Sequence, residues 1–574
     1  MREKSTILER QKGKEMEKGK NKNGKNENGY LKVYTREPDK ENYPDGLAFS
    51  IHMAYGEDEK EFSPLHKNYG ILFAEAVIMP NDTLSPRGVK EPKVFALKDG
   101  GFGIAAVRVM ENGDTDEACA GKVLFWTTID WIDFEAKGLV AVDEVEAKAV
   151  MANGLTEDHV EVESAILNRA VEYWNSIYHT ETVVPECVQL SSEQELDAVM
   201  AEAVYSDGSR ASKRVLWEKD AIDFTRPGIY EIRGRVQSKK FTFPLAEGFG
   251  DPVIFPWEGK WYFISTSDNT GDIGLYIREA DTVEGLFAEG VVQHLILPLD
   301  EKRELIQTFW APEFHVIGGK LYILFAVSGH AWGPQCHLLK WKEGQPLIKA
   351  ESWEDPVRVQ RQDGSYLTED GITLDMTFLR TKRQSYVVWS YRLGMWKPHD
   401  TGSMLCIATI DEREPWKLTS EPVRLARPLY GWENVDNTIN NEGPYAFIRD
   451  GKVYLAYSGG AANSYTYAVG LLTAREEDDL LDVSNWQKRC TPVLSFYSVE
   501  GEYGPGHNSF YEDEDGNLMI AYHAEKDKKS TLRCDGIRRV HFRKDGTPEF
   551  GMSAKEDFDP ALGSVSMKVE IVRG

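Results

Sequence analysis

Three carboxylates stand where acid–base chemistry on a sugar would need them. They are Asp251 in Gly250-Asp251-Pro252, Asp375 in Leu374-Asp375-Met376, and Glu442 in Asn441-Glu442-Gly443-Pro444. Each heads an apolar, strand-like run. In glycoside hydrolysis one carboxyl group stays ionised and activates water, while a second stays protonated and protonates the leaving oxygen. A third carboxylate beside the acid raises its pKa by like-charge repulsion and holds its orientation. Taken singly, each residue is as readily a turn former, Asp before Pro above all. Taken together they are not, because burying several carboxylates around one axis is costly unless pairing, metals or shifted pKa values offset it.

The elements that would bring them together form a repeat. Five segments share one plan, a polar head, an apolar strand, a turn usually containing Gly, and a Tyr- or Trp-bearing strand. They are DPVIFPWEGKWYFISTS, EFHVIGGKLYILFAVSG, DMTFLRTKRQSYVVWSY, EGPYAFIRDGKVYLAYSGG and HNSFYEDEDGNLMIAYHA. Their heads, Asp251, Glu313, Asp375, Glu442 and His507, lie 62, 62, 67 and 65 residues apart. A period that holds about four strands predicts propeller blades, and five copies predict five blades. The innermost strands of a propeller start at the same end of a central channel, so the five heads should converge on one site. The fold class expected is all-β.

These motifs resemble those of glycoside hydrolase family 43 over residues 241 to 552. Trp310-Ala311-Pro312-Glu313 is similar to the family's second-blade signature, and Gly504-Pro505-Gly506-His507-Asn508-Ser509 to its fifth. The resemblance implies a five-bladed propeller that inverts the anomeric centre, with Asp251 as general base, Glu442 as general acid and Asp375 as modulator of the acid. Inversion calls for roughly 6.5–9.5 Å between the base and acid carboxyl groups. Pro415 to Thr419, Arg427-Pro428, Trp432-Glu433 and Gly470 to Ala474 resemble the alpha-L-arabinofuranosidase branch. Met376 and Thr377 depart from it. The function expected is removal of terminal alpha-L-arabinofuranosyl residues from arabinan- or arabinoxylan-derived oligosaccharides. A beta-xylosidase, an endo-arabinanase and a non-catalytic carbohydrate-binding propeller are the alternatives. A phosphorylase would need a basic cradle, for which Arg392 and Arg533 are the nearby candidates.

Trp310, Glu313, Phe314 and His507 are the candidate substrate contacts, and Trp257, Trp389 and Trp432 are further stacking candidates. His507 resembles the family histidine that sits beneath the sugar, which implies a hydrated calcium ion as its partner. Calcium prefers oxygen ligands, so a lone His serves equally as a hydrogen-bonding core residue. The chemistry itself requires no cofactor.

The formal net charge is -26, which disfavours nucleic acid and polyanionic substrates and suits a neutral saccharide. Six scattered cysteines predict free thiols rather than a disulfide scaffold or zinc site. Residues 1–29 are charged and Gly/Asn-rich, which reads as a disordered leader, and no apolar run is long enough to span a membrane. A cytoplasmic location is therefore expected. Residues 30–165 read as a degenerate propeller-like domain, with Glu91 in Lys90-Glu91-Pro92 where an Asp would stand. Residues 175–238 read as a small β-sandwich. Val204 to Ser209, Val215-Leu216-Trp217 and Arg226 to Tyr230 resemble bacterial Ig-like domains of family 4. Residues 241–574 are expected to be the propeller.

Overall fold

The computed structural model describes residues 28–145, 156–238, 241–435 and 438–572, and most of the expected leader lies outside them. The chain is all-β with a few short helices. Five consecutive antiparallel sheets occupy residues 249 to 539, their strands hydrogen-bonded in sequence order. The innermost strands are Phe249–Trp257, Gln307–Ile317, Gly371–Arg380, Asn441–Arg449 and Tyr503–Glu512. Each touches the next, and the fifth returns to the first. The first four sheets have four strands and the fifth has three. Its outer edge is taken by residues just before the first sheet: Leu245 N–H donates to Asp535 O at 2.9 Å, and Gly248 N–H to Arg533 O at 2.8 Å. Ile264, Ile323, Val388, Leu455 and Ile520, all fully buried, come from the second strands of the five sheets. Such inward-facing β-branched and aliphatic residues fill the space between twisted sheets.

All five inner strands carry the same defect. Register shifts fall between Gly250 and Val253, Trp310 and Glu313, Leu374 and Thr377, Glu442 and Tyr445, and Gly506 and Ser509. Inside each bulge one residue has positive φ: Asp251 (58°), Ala311 (46°), Asp375 (54°), Gly443 (55°) and His507 (43°). For non-glycine residues this conformation costs on the order of 1–3 kcal/mol and clusters at functional sites. The bulge therefore corrects the expected alignment of heads. Ala311, not Glu313, is the second sheet's equivalent of Asp251, and Glu442 stands one residue before its sheet's turning point.

Before the five sheets lie two smaller units. In the first, strands Arg87–Ala96, Phe102–Met110, Lys122–Thr128 and Glu135–Ala141 form a four-stranded meander. It has the same bulge, with Glu91 at φ 52°. A second sheet pairs Asn28–Tyr34 with Glu157–Glu163 and His52–Gly56. The strand beginning at Asn28 places residues 28 and 29 in the fold rather than in a leader. Helix Ser164–Trp174 packs on this unit, where Trp174 Nε1 donates to Trp131 O at 2.7 Å, so the unit runs past the expected boundary at 165. The other unit has one sheet of His179–Val183, Ala201–Tyr205 and Arg210–Lys213. Its second sheet is ordered Cys187–Leu190, Ser564–Ile571, Gly228–Val236 and Val215–Trp217. The C-terminal strand thus belongs to this unit and not, as expected, to the five-sheet domain. It runs parallel to Cys187–Leu190 and buries Met567, Val569 and Ile571 against Trp217 and Ile232.

Candidate active site

The bulges turn Asp251, Asp375 and His507 inward at one end of the ring of inner strands. With Glu442, Trp310, Asp268, Asp272, Asn440 and Arg533 they line a solvent-open cleft of about 460 Å³. The three carboxylates do converge, but their surroundings differ. Asp251 Oδ1 faces the Arg533 guanidinium at 3.0 Å and His507 Nδ1 at 3.2 Å. Its Oδ2 accepts from the Thr266 hydroxyl, which itself accepts from Ala311 N–H at 2.9 Å. Burial would raise the Asp251 pKa, but the cationic His507 and Arg533 hold it well below the usual carboxylate range. Arg533 is fixed in turn by Asp268, to whose Oδ2 its Nε donates at 3.1 Å. It passes so close over Gly250 that a Cβ there would lie 2.1 Å from Cζ, a contact only glycine permits.

The charge of His507 lowers the Glu442 pKa as it does that of Asp251, but at Glu442 two larger effects oppose it. Burial first and the neighbouring Asp375 charge second push it up to about 7. Its Oε1 accepts from Tyr467 OH at 2.8 Å. Asp375 sits between the two: Ser390 OH donates to its Oδ2 at 2.9 Å and Gly443 N–H at 3.1 Å. Burial raises its pKa too, offset in part by His507. Gly443, next to the acid, has φ 55°, and a Cβ there would meet the His507 ring at 2.9 Å. The site therefore holds one carboxylate ionised and one carboxyl poised near neutrality, the division that hydrolysis of a glycosidic bond requires.

The neighbouring charges of Asp251, Asp375 and Glu442 outweigh burial and raise the His507 pKa above its ordinary value. Its Nε2 is buried without a hydrogen-bond partner, and its backbone N–H donates to Ser458 OH at 2.7 Å. Among the described residues no group of three or more His, Cys, Asp or Glu is arranged to hold a metal ion.

The remaining expectations divide. Trp310 lines the cleft, its Nε1 donating to Asp272 Oδ2 at 3.0 Å. Glu313 and Phe314 do not line it, since they follow the bulge and point into the walls. Glu313 pairs with His315 at 2.6 Å, and Phe314 is 1% exposed, stacked on Phe255. Trp389 and Trp432 are buried in cores, and Trp257 packs on Phe255. Arg392 is held by Asp400, and Arg533 by Asp251 and Asp268, so neither is free to cradle phosphate. His523 and Tyr467 were missed. His523 accepts from Asp251 N–H at 3.1 Å and stacks on Tyr467, linking the base side to the acid side. His523 lies within strand Leu518–Glu525 and Tyr467 just before strand Ala468–Arg475, and neither carries a sequence signal that separates it from core residues.

A chain with this ring of sheets and this carboxylate constellation is of the glycosidase class. The family model described as glycosyl hydrolases family 43 matches residues 241–548, and that for the bacterial Ig-like domain (group 4) matches residues 200–239. The chain belongs to glycosyl hydrolase family 43. It is 30% identical over 334 residues to a Streptomyces avermitilis protein named extracellular exo-alpha-(1->5)-L-arabinofuranosidase, spanning 56% of this chain and 66% of that one. A Streptomyces chartreusis protein of the same name is 30% identical over 349 residues, 60% of this chain and 97% of the relative. The crystal structure of an alpha-L-arabinofuranosidase from Lactobacillus brevis superposes with a TM-score of 0.48 at 29% identity, covering 55% of this chain and 98% of that one. The match thus spans just under two thirds of the S. avermitilis protein and nearly all of the other two. Both Streptomyces relatives are named extracellular, which overturns the expected cytoplasmic location. That expectation rested only on the polarity of residues 1–29, which does not determine compartment. No helix among the described residues is long and apolar enough to cross a membrane.

Proposed function

We propose that this protein is an inverting, exo-acting alpha-L-arabinofuranosidase built on a five-bladed propeller, acting outside the cell on neutral arabinan- or arabinoxylan-derived oligosaccharides. The observation that carries the reading is the opposite environment of Asp251 and Glu442 across one cleft. Asp251, ionised against Arg533 and His507, takes a proton from water as that water attacks the anomeric carbon. Glu442 gives its proton to the departing glycosidic oxygen. Asp375 keeps the acid's pKa high and, through Gly443 N–H, fixes the backbone beside it. The relatives' names support arabinose as the sugar. The contact of the fifth inner strand with the first, and the pairing of residues 245–248 on the fifth sheet's edge, support ring closure. The test is release of p-nitrophenol from the alpha-L-arabinofuranoside and the beta-D-xyloside by wild type and Glu442→Ala. Arabinoside turnover that collapses in the variant is expected. Turnover of the xyloside alone would overturn the sugar, and a folded wild type inert on both and on arabino-oligosaccharides would overturn the catalytic reading.

A further inference from the structure

Trp396 is 86% exposed, whereas every other tryptophan of the chain is buried or half-buried. It also has φ 64°, a left-handed backbone that is a genuine outlier for a bulky side chain. An indole held in solvent buries little apolar surface, and strained backbone of this kind clusters at active sites and ligand clamps.

The surrounding segment is built to hold it there. It joins strands Ser385–Leu393 and Met404–Thr409 of the third sheet. Arg392 forks onto Asp400 through two bonds of 2.8 and 2.7 Å. Asp400 accepts from Trp396 N–H at 3.2 Å and from Gly402 N–H at 3.0 Å, and Lys397 pairs with Asp370 at 2.6 Å. These charges are mutually paired, so what the segment offers a ligand is the indole face. The segment opens at the cleft end of its sheet, because Arg392 and Leu393 pair with Ile372 and Gly371, just before Asp375. It also abuts the cleft wall: Ser403 N–H donates to Ile439 O at 3.0 Å, between the cleft-lining Thr438 and Asn440. Trp396 lies seven residues before Ser403, so its backbone stands within about 25 Å of chain from that wall.

We propose that Trp396 is an outer binding platform for the chain of the saccharide whose terminal residue occupies the cleft. The apolar CH face of a sugar ring on the leaving-group side stacks on the indole. This rests on the saccharide reading of the cleft but not on which sugar is cleaved. An aromatic side chain brings a large rigid contact area at low entropic cost, and a neutral sugar suits a segment whose charges are already paired.

The experiment compares ligands of different length. Arabinopentaose and xylopentaose are titrated calorimetrically into Glu442→Gln protein, with and without Trp396→Ala and Trp396→Phe. In the active background, kcat/KM is measured on the pentasaccharide and on the aryl glycoside. Trp396→Ala is expected to lose roughly tenfold in pentasaccharide affinity, about 1.4 kcal/mol. A matching fall in the ratio of pentasaccharide to aryl glycoside kcat/KM, with Phe retaining most of both, is expected. Equal effects on both substrates, or no effect on either, overturn the platform. Preference for xylopentaose with the same Trp396 dependence refutes the arabinose reading and leaves the platform standing. No binding of either pentasaccharide to a folded protein refutes both.

Discussion

Replacing Glu442 with Gln separates the general acid from every other source of activity. Gln keeps the shape of the side chain and still accepts the Tyr467 hydroxyl, so the cleft is preserved while the transferable proton is lost. With a pKa of about 7 rather than the ordinary 4.5, half of Glu442 carries its proton at neutral pH. An unperturbed Glu would retain on the order of 0.3% at that pH. Wild-type kcat/KM should therefore be flat on the acid side of about pH 7 and fall about tenfold per unit above it. No acid limb from Asp251 should appear until well below its ordinary range. Glu442→Gln should lose ~10²–10⁴-fold, more for a sugar leaving group than for p-nitrophenol, whose departure needs little proton assistance. The same substitution has a stability signature of known sign. A carboxyl whose pKa rises from 4.5 unfolded to about 7 folded keeps its proton more tightly in the native state. Stability is then undiminished below pH 4.5 and falls as pH rises to 7, by at most about 3 kcal/mol. Gln removes that penalty, so the variant should match wild type in thermal denaturation at pH 4 and exceed it at pH 8. An alkaline limb near pH 7 that persists in Glu442→Gln, or equal losses for sugar and p-nitrophenol leaving groups, would refute the assignment.

Two further predictions rest on single contacts. Tyr467→Phe removes a hydrogen bond that favours the charged form of Glu442, so the alkaline limb should move up by about half to one pH unit; a shift downward would show that Tyr467 acts otherwise. Deleting residues 564–572 removes Met567, Val569 and Ile571 from the Ig-like core. At roughly 1.5–3 kcal/mol per buried side chain, the loss rivals the whole stability of a small domain. Limited proteolysis should then cut within residues 187–236, and resistance there would show that the strand is dispensable.

How far the site was legible depends on how far apart its parts lie. The residues proposed as general base, modulator and general acid head repeated apolar runs, so repeat period and residue type were enough to nominate Asp251, Asp375 and Glu442. The same period misled at Glu313 and Phe314. Counting from segment heads does not reveal that the bulge centres on Ala311, and two residues of offset send those side chains into the wall instead of the cleft.

The sequence by itself determined the alternation of apolar residues that makes strands, the recurrence that makes five sheets, and the acidic residues at or beside three of the turning points. Those are local properties, set by backbone sterics and side-chain period. Only the tertiary structure decided which carboxylate is ionised. Asp251 is charged because Arg533 and His507 close onto the first sheet, while at Glu442 burial and the Asp375 charge outweigh His507 and keep it protonated to about pH 7. It likewise decided that strand Ser564–Ile571 joins a sheet begun more than 300 residues earlier, and that Trp396 stands exposed to solvent. Pairing across such separations is selected by the whole folded arrangement, and no short-range pattern encodes it.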